Sequence, residues 1–213
     1  MLCKKESMLL YAVTDRTWVS KYTLLEQVED ALKGGVTCLQ LREKDMNEDE
    51  FFHEALEMKE LCAKYQVPFI INDHVEIAMR CKVDGIHVGQ SDMKVDTVRE
   101  LVGKHMIIGV SVQTVEQAVE AYKAGADYLG VGAMFRTTTK MDASEVSYET
   151  LKEICSTVSI PVVAIGGINK CNIMKLSGSG VDGVALVSAI FAAKDIKHEC
   201  KELYSISKKM IQV

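Results

Sequence analysis

The residues best suited to chemistry sit just after short apolar runs. Gln40-Leu41-Arg42-Glu43-Lys44 sets an amide and two cations at alternate positions, so a strand would turn Gln40, Arg42 and Lys44 to one side. Ile70-Ile71-Asn72-Asp73 and His87-Val88-Gly89-Gln90-Ser91-Asp92 together supply an amide and two carboxylates. Oxygen ligands of that kind suit Mg²⁺, which keeps most of its water and takes one or two carboxylates plus phosphate oxygens; Asp73 and Asp92 suffice if a diphosphate supplies the rest. Gly109-Val110-Ser111 adds a hydroxyl, and the stretch from Gly132 through Arg136, Thr137, Thr138, Thr139 and Lys140 adds donors for phosphate oxygens. Further on, Ile165-Gly166-Gly167-Ile168-Asn169 offers backbone N–H groups, and Val187-Ser188-Ala189 opens a short helix. Two separate anion sites emerge.

Taken singly, each motif has a simpler reading. Gln40, Arg42 and Lys44 alone describe a solvated strand end. Asp73 and Asp92 cap helices or shape turns, Ser111 caps the helix beginning near Thr114, and the threonines form a polar loop. Their joint placement favours chemistry. His87 points from its strand into a packed or hydrogen-bonded setting, His53, His105 and His198 lie in helical or solvent-facing stretches, and no histidine takes a ligand role. Met58, Met79 and Met174 belong to apolar packing.

The elements that must position these groups follow from the hydrophobic pattern. Strand-like runs occupy Leu9–Val13, Cys38–Leu41, Val67–Ile71, Gly85–Val88, Met106–Val110, Tyr128–Val131, Pro161–Ile165 and Gly183–Val187. Between them lie helical spacings such as Leu24, Leu25, Val28, Ala31, Leu32 and Val115, Ala118, Val119, Tyr122. Glycines close several helices, as in Lys33-Gly34-Gly35-Val36 and Lys123-Ala124-Gly125-Ala126. Nearly continuous apolar strands such as Pro161-Val162-Val163-Ala164-Ile165 fit a parallel sheet covered on both faces. The fold class is therefore α/β. An open doubly wound sheet also satisfies this, but about eight units with polar residues at nearly every strand's carboxyl end favour one (β/α)8 barrel spanning residues 1–213, closed by a helix after about Lys194. In such barrels the site lies at the carboxyl ends, and the loops after strands seven and eight cradle phosphate.

Composition agrees. The 213 residues are 48% hydrophobic and 26% charged, ordinary for one large domain. A net charge of -5 leaves no surplus to hold nucleic acid or an anionic membrane, so the expected partners are small molecules; a homo-oligomer stays open. No apolar run approaches the ~20 residues of a membrane span, and the first residues lack a signal peptide's apolar stretch, which gives a cytoplasmic expectation. Seven scattered cysteines without a C-x-x-C pair read as reduced small hydrophobes.

Taken in order, Tyr11-Ala12-Val13-Thr14-Asp15, Gln40-Leu41-Arg42-Glu43-Lys44, Asn72-Asp73, His87-Val88-Gly89-Gln90-Ser91-Asp92, Gly109-Val110-Ser111, Thr137-Thr138-Thr139-Lys140 and Ala164-Ile165-Gly166-Gly167-Ile168 resemble the thiamine-phosphate synthase family over nearly the whole chain. The resemblance implies a transferase that joins 4-amino-2-methyl-5-pyrimidinylmethyl diphosphate to thiazole phosphate and releases pyrophosphate. It implies that Gln40 holds the aminopyrimidine, that Arg42, Lys44, Asn72 and Lys140 hold the diphosphate, that Asp73 and Asp92 hold Mg²⁺, and that Ser111 meets the departing pyrophosphate. Ser111, Lys140, Arg42 and Lys44 would then assist catalysis, while Thr137, Thr139, Gly167, Val187 and Ser188 would surround the thiazole phosphate. Three positions depart from the family pattern: Arg136 replaces a proline, Gln113 a histidine and His74 an arginine. Losing the proline reduces the loop's pre-organisation, and Arg136 adds charge near the anion pocket.

The cations, metal site and hydroxyls suit dissociative loss of pyrophosphate better than nucleophilic catalysis. One rival, a thiazole tautomerase of the same barrel family, wants an acid or base near the thiazole, and Gln113 does not titrate. A non-catalytic thiazole-phosphate-binding regulator would not need the diphosphate and Mg²⁺ residues. A phosphate-binding epimerase or aldolase would need a strand-end lysine or metal-binding histidines suited to that chemistry.

Overall fold

The computed structural model describes residues 3–19, 21–137 and 144–212. Its frame is eight short strands whose side chains are buried almost throughout: β1 (Leu10–Val13), β2 (Cys38–Leu41), β3 (Phe69–Asn72), β4 (Gly85–Val88), β5 (Ile107–Val112), β6 (Tyr128–Val131), β7 (Val162–Ile165) and β8 (Gly183–Leu186). Every adjacent pair is parallel, and β8 pairs back onto β1 with Tyr11 opposite Ala185, so the sheet closes into a barrel in chain order. The expected (β/α)8 architecture is what the chain adopts.

The outer layer is built from α1 (Leu24–Lys33), α2 (Glu48–Tyr65), α3 (Val75–Cys81), α4 (Val95–Val102), α5 (Val115–Lys123), α6 (Tyr148–Thr157), the short α7 (Ser188–Phe191) and the closing α8 (Ile196–Met210). Local chemistry sets several starts. Thr23 and Glu26 form a reciprocal capping box on α1, and Asn47, Thr114, Ser147 and Asp195 each accept a backbone N–H at the start of their helices. Thr114, not Ser111, caps α5. Over strand seven the regular alternation lapses to a single 3-10 turn, Ile173–Leu176. Lys170, just ahead of it, pairs with Glu199 and Glu202 of α8 at 2.8 and 2.6 Å. On another face of the same stretch, α8 rests on α1, with Cys200 against Gly34 and Tyr204 over Gly35.

Strand limits shift from the sequence expectation for physical reasons. Val67 donates to Cys62 O and so belongs to the turn ending α2, which delays β3 to Phe69. Strand β5 runs two residues further than expected because Ser111 and Val112 pair with Gly130 and Val131.

Two apolar clusters hold the molecule together. The larger lies between strands and helices, and a smaller one fills the barrel's interior with Met8, Tyr11, Val13, Cys38, Ile70, Ile107, Tyr128, Val163 and Ala185. Glycines make room for large neighbours there: a side chain at Gly85 would strike Ile70, and one at Gly109 would strike the Tyr128 ring. All seven cysteines are free. Among the described residues no helix is long and apolar enough to cross a membrane.

Candidate active site

Because all strands are parallel, their carboxyl ends share one rim. Strand β2 carries Gln40, which is buried and donates through Nε2 to Tyr11 Oη at 2.8 Å inside the barrel. Arg42 follows immediately, half-buried, with its backbone N–H held by Thr14 Oγ1 at 2.9 Å. Next in sequence, Glu43 is buried and takes Arg16 Nε at 2.8 Å, and Arg16 also pairs with Glu54 of α2. That pairing fixes the segment bearing Arg42 to the helix layer. Lys44 is exposed on the same segment.

Strand β3 ends in Asn72, paired in register with His87 of β4. Asp73 then adopts a left-handed backbone, φ 62°, and donates its N–H to His87 O at 2.8 Å. A non-glycine residue held in that region is uncommon and marks a constrained site. Although solvent reaches Asp73, the surrounding protein raises its carboxyl to about 6; desolvation is the largest cause, followed by the hydrogen bond and charge of Asp92, with Asn72 and Arg42 opposing. Those same influences bring Arg42, Asn72, Asp73 and Asp92 together. Asp92 also shapes its own loop, since its Oδ2 accepts the Gly89 N–H at 2.7 Å. It therefore serves a turn and leaves another carboxylate oxygen for a ligand.

Two carboxylates in hydrogen-bond reach, one protonating far above its usual range, fit a divalent cation, because positive charge between them removes their mutual repulsion. Among the described residues there is no cluster of three or more His, Cys, Asp or Glu suited to a metal. A resident ion held by Asp73 and Asp92 would accordingly need substrate and water oxygens to complete its shell.

The raised Asp73 carboxyl predicts how ligand-free protein responds to pH. Its folded pKa lies above the unfolded value of 3.8, so the stability it contributes is complete below about pH 4 and is lost as pH rises through about 6. In chelator, thermal midpoints should show this fall over that window, and Asp73→Asn should remove it. Identical profiles for the two proteins would contradict it.

Ser111 lies within β5 rather than after it. Its Oγ meets His87 Nε2 at 2.8 Å, and its carbonyl accepts Gln90 Nε2 at 2.8 Å from the neighbouring loop. His87 therefore sits in the hydrogen-bonded setting the sequence implied, but at the site itself; together with Tyr11 and Tyr128 it is what motif reasoning passed over. Polar side chains inside otherwise apolar strands were the available signal, because a buried polar group requires a partner.

On the far side of the rim, the end of β6 docks on the end of β7. Met134 donates to Ile165 O at 2.9 Å and Phe135 to Gly166 O at 3.0 Å. Gly167 has φ 65°, and any side chain there would lie 2.5 Å from Arg136 O and 2.6 Å from Phe135 O. Asn172 Nδ2 bonds Gly167 O at 2.9 Å and steadies the turn. Strand β8 runs beside β7, with Ile165 opposite Ala185, and leads to half-buried Val187 and Ser188, where α7 begins. Gly167, Val187 and Ser188 thus occupy neighbouring strand ends, and the first N–H groups of α7 have no intrahelical acceptor. Thr137 is half-buried at the edge of this region. Thr139 and Lys140 lie outside the described residues.

Clefts among the described residues include one at the rim and one away from it. One of about 320 Å3 borders the rim at Gly89, Gln90 and Asp92. A larger one, about 640 Å3, lies away from these groups beside Lys5, Asp182, Tyr204 and Lys208 and contains none of them.

A family model described as thiamine monophosphate synthase matches residues 10–190 of the chain. The thiamine-phosphate synthase of Ruminiclostridium cellulolyticum is 51% identical over 197 residues, covering 92% of this chain and 94% of that protein. That of Clostridium acetobutylicum is 48% identical over 200 residues, covering 94% and 95%. Among solved structures, a thiamine phosphate pyrophosphorylase from Pyrococcus furiosus superposes with a TM-score of 0.90 at 37% identity, covering 97% of this chain and 98% of that one.

Proposed function

Since the chain belongs to the thiamine monophosphate synthase family and is a transferase, we propose that it joins 4-amino-2-methyl-5-pyrimidinylmethyl diphosphate to thiazole phosphate by dissociative substitution. The observation that carries this reading is the gathering of Arg42, Asn72, Asp73 and Asp92 on one rim of the barrel, across neighbouring strands from Ser111. Such a set is suited to a departing anion rather than to forming a bond with the substrate.

In the proposed reaction the bond between the pyrimidine's methylene carbon and the diphosphate oxygen breaks, and its electron pair leaves with pyrophosphate. The aminopyrimidine ring stabilises the cation that remains. The thiazole nitrogen then donates its lone pair to form the new C–N bond. No protein nucleophile is required. Arg42, Lys44, Asn72 and Lys140 hold the diphosphate and offset the charge that builds on it, and Ser111 donates a hydrogen bond to it. Gln40 orients the pyrimidine. Thr137, Thr139, Gly167, Val187 and Ser188 hold the thiazole phosphate so that its nitrogen faces the reacting carbon. Asp73 and Asp92 would hold Mg²⁺, which supplies neutralising charge to diphosphate oxygens when bound.

Pyrophosphate release tests the reading. Protein mixed with both substrates and Mg²⁺ should liberate it, and either substrate alone or excess chelator should not support turnover. Lys140→Ala should slow the reaction roughly 10²-fold. Full turnover in chelator would remove Asp73 and Asp92 as ligands, and an unchanged Lys140→Ala rate would remove that lysine from the diphosphate site.

A further inference from the structure

Beneath the rim runs a chain of hydrogen bonds that the roles above do not explain. Gln40 Nε2 donates to Tyr11 Oη at 2.8 Å, Tyr11 Oη lies 2.7 Å from Tyr128 Oη, Tyr128 Oη lies 2.8 Å from His87 Nδ1, and His87 Nε2 lies 2.8 Å from Ser111 Oγ. It crosses the barrel's interior through β2, β1, β6, β4 and β5, and every member but Ser111 is buried. Burial pushes both phenols well above their ordinary range, so both keep their protons.

One end of this chain has a fixed direction, because an amide N–H can only donate. Tyr11 Oη accepts that proton and must place its own. The thiol of Cys38 nearby is a weak acceptor, whereas Tyr128 Oη lies at full hydrogen-bond distance. Tyr128, accepting from Tyr11, donates its hydroxyl hydrogen bond to His87 Nδ1. A neutral imidazole whose Nδ1 accepts carries its hydrogen on Nε2, since the bond made by one ring nitrogen sets the state of the other. Nε2–H then donates to Ser111 Oγ. With its oxygen engaged from behind, Ser111 has its own proton left to donate beyond the strand end.

We propose that His87 is a positioning residue, locked by Tyr11 and Tyr128 as the Nε2–H tautomer, which makes the Ser111 hydroxyl a donor to the departing pyrophosphate. The inference rests on the role proposed above for Ser111, but the tautomer itself does not depend on it. A reversed chain, with Nδ1 protonated and Ser111 donating to Nε2, would occupy the serine's proton inside the barrel and leave none for the leaving group.

Two measurements decide it. In ligand-free protein carrying 15N-labelled histidine at neutral pH, with His87 signals identified by their loss in His87→Gln, Nε2 should be protonated and Nδ1 bare. A protonated Nδ1 overturns the proposal. In steady-state kinetics, Tyr128→Phe should lower kcat about 10-fold with both KM values unchanged. In a Ser111→Ala background the same substitution should have no further effect, because its influence passes through the serine. Additive losses would mark Tyr128 as merely structural and overturn the proposal. Wild-type protein that makes no product would instead defeat the functional reading, and the nitrogen spectrum would still decide the tautomer.

Discussion

Asp73→Asn should lower turnover of the two proposed substrates roughly 10²-fold while the barrel remains folded. Asparagine is the informative replacement because residue 73 has φ 62°, a region that asparagine tolerates and that alanine enters only with strain. The amide keeps shape and backbone but removes the charge that the proposed cation site beside Asp92 would use. Raising the Mg²⁺ concentration should recover part of the activity, since weakened ion binding yields to mass action. Pyrophosphate release measures the rate, and thermal unfolding checks the fold. A rate equal to wild type would take Asp73 out of the machinery.

The second large effect concerns folding. Gly109→Ala would drive a methyl group into the Tyr128 ring, touching Cζ, Cε1 and the hydroxyl at once. Tyr128 has little room to yield: it is fully buried, packs edge-on against Tyr11 with ring centroids 5.8 Å apart, and bonds Tyr11 and His87 through its hydroxyl. Overpacking at such a position should cost roughly 3 kcal/mol. Gly109→Ala combined with Tyr128→Ala should regain part of that loss, because the second change opens the volume the first one needs. Denaturant unfolding of the four proteins measures both quantities, and a Gly109→Ala midpoint like wild type would show that the interior is looser than its geometry indicates.

Much of this architecture was legible in the chain. Runs such as Val162-Val163-Ala164-Ile165 fit parallel strands covered on both faces, and eight strand-like runs separated by helical spacings favour a closed barrel over an open doubly wound sheet. The limits of strands were less legible. Ser111 reads as the residue after a strand, yet pairing with Gly130 draws it inside, and that partner is visible only when β6 is in place. The missing helix over strand seven has a similar origin: residues there form a 3-10 turn whose neighbouring Lys170 is satisfied by α8, far along the sequence.

The site divides the same way. Asn72 ends β3, Asp73 follows it, and Asp92 lies in the loop after β4, so their shared rim could be inferred once a barrel was assumed. Lys44 could not be placed by alternation, because the strand stops at Leu41 and the chain beyond it no longer alternates faces. Least legible was the interior chain of polar groups. Tyr11 and Tyr128 are 117 residues apart, and nothing local to either predicts that their hydroxyls meet.

The docking of the segment after β6 onto the end of β7 also bears on how the protein can diversify. A side chain at Gly132 would strike the Ile165 carbonyl, one at Gly166 would fall 2.5 Å from Ala133 Cβ, and one at Gly167 would meet the Phe135 and Arg136 carbonyls. At Gly132 the opposite segment decides whether a side chain fits, whereas at Gly166 and Gly167 the left-handed backbone, φ 96° and 65°, strains any side chain as well. Close approach and backbone together hold these three positions to glycine, so the path of the seam is set more tightly than the side chains that border it.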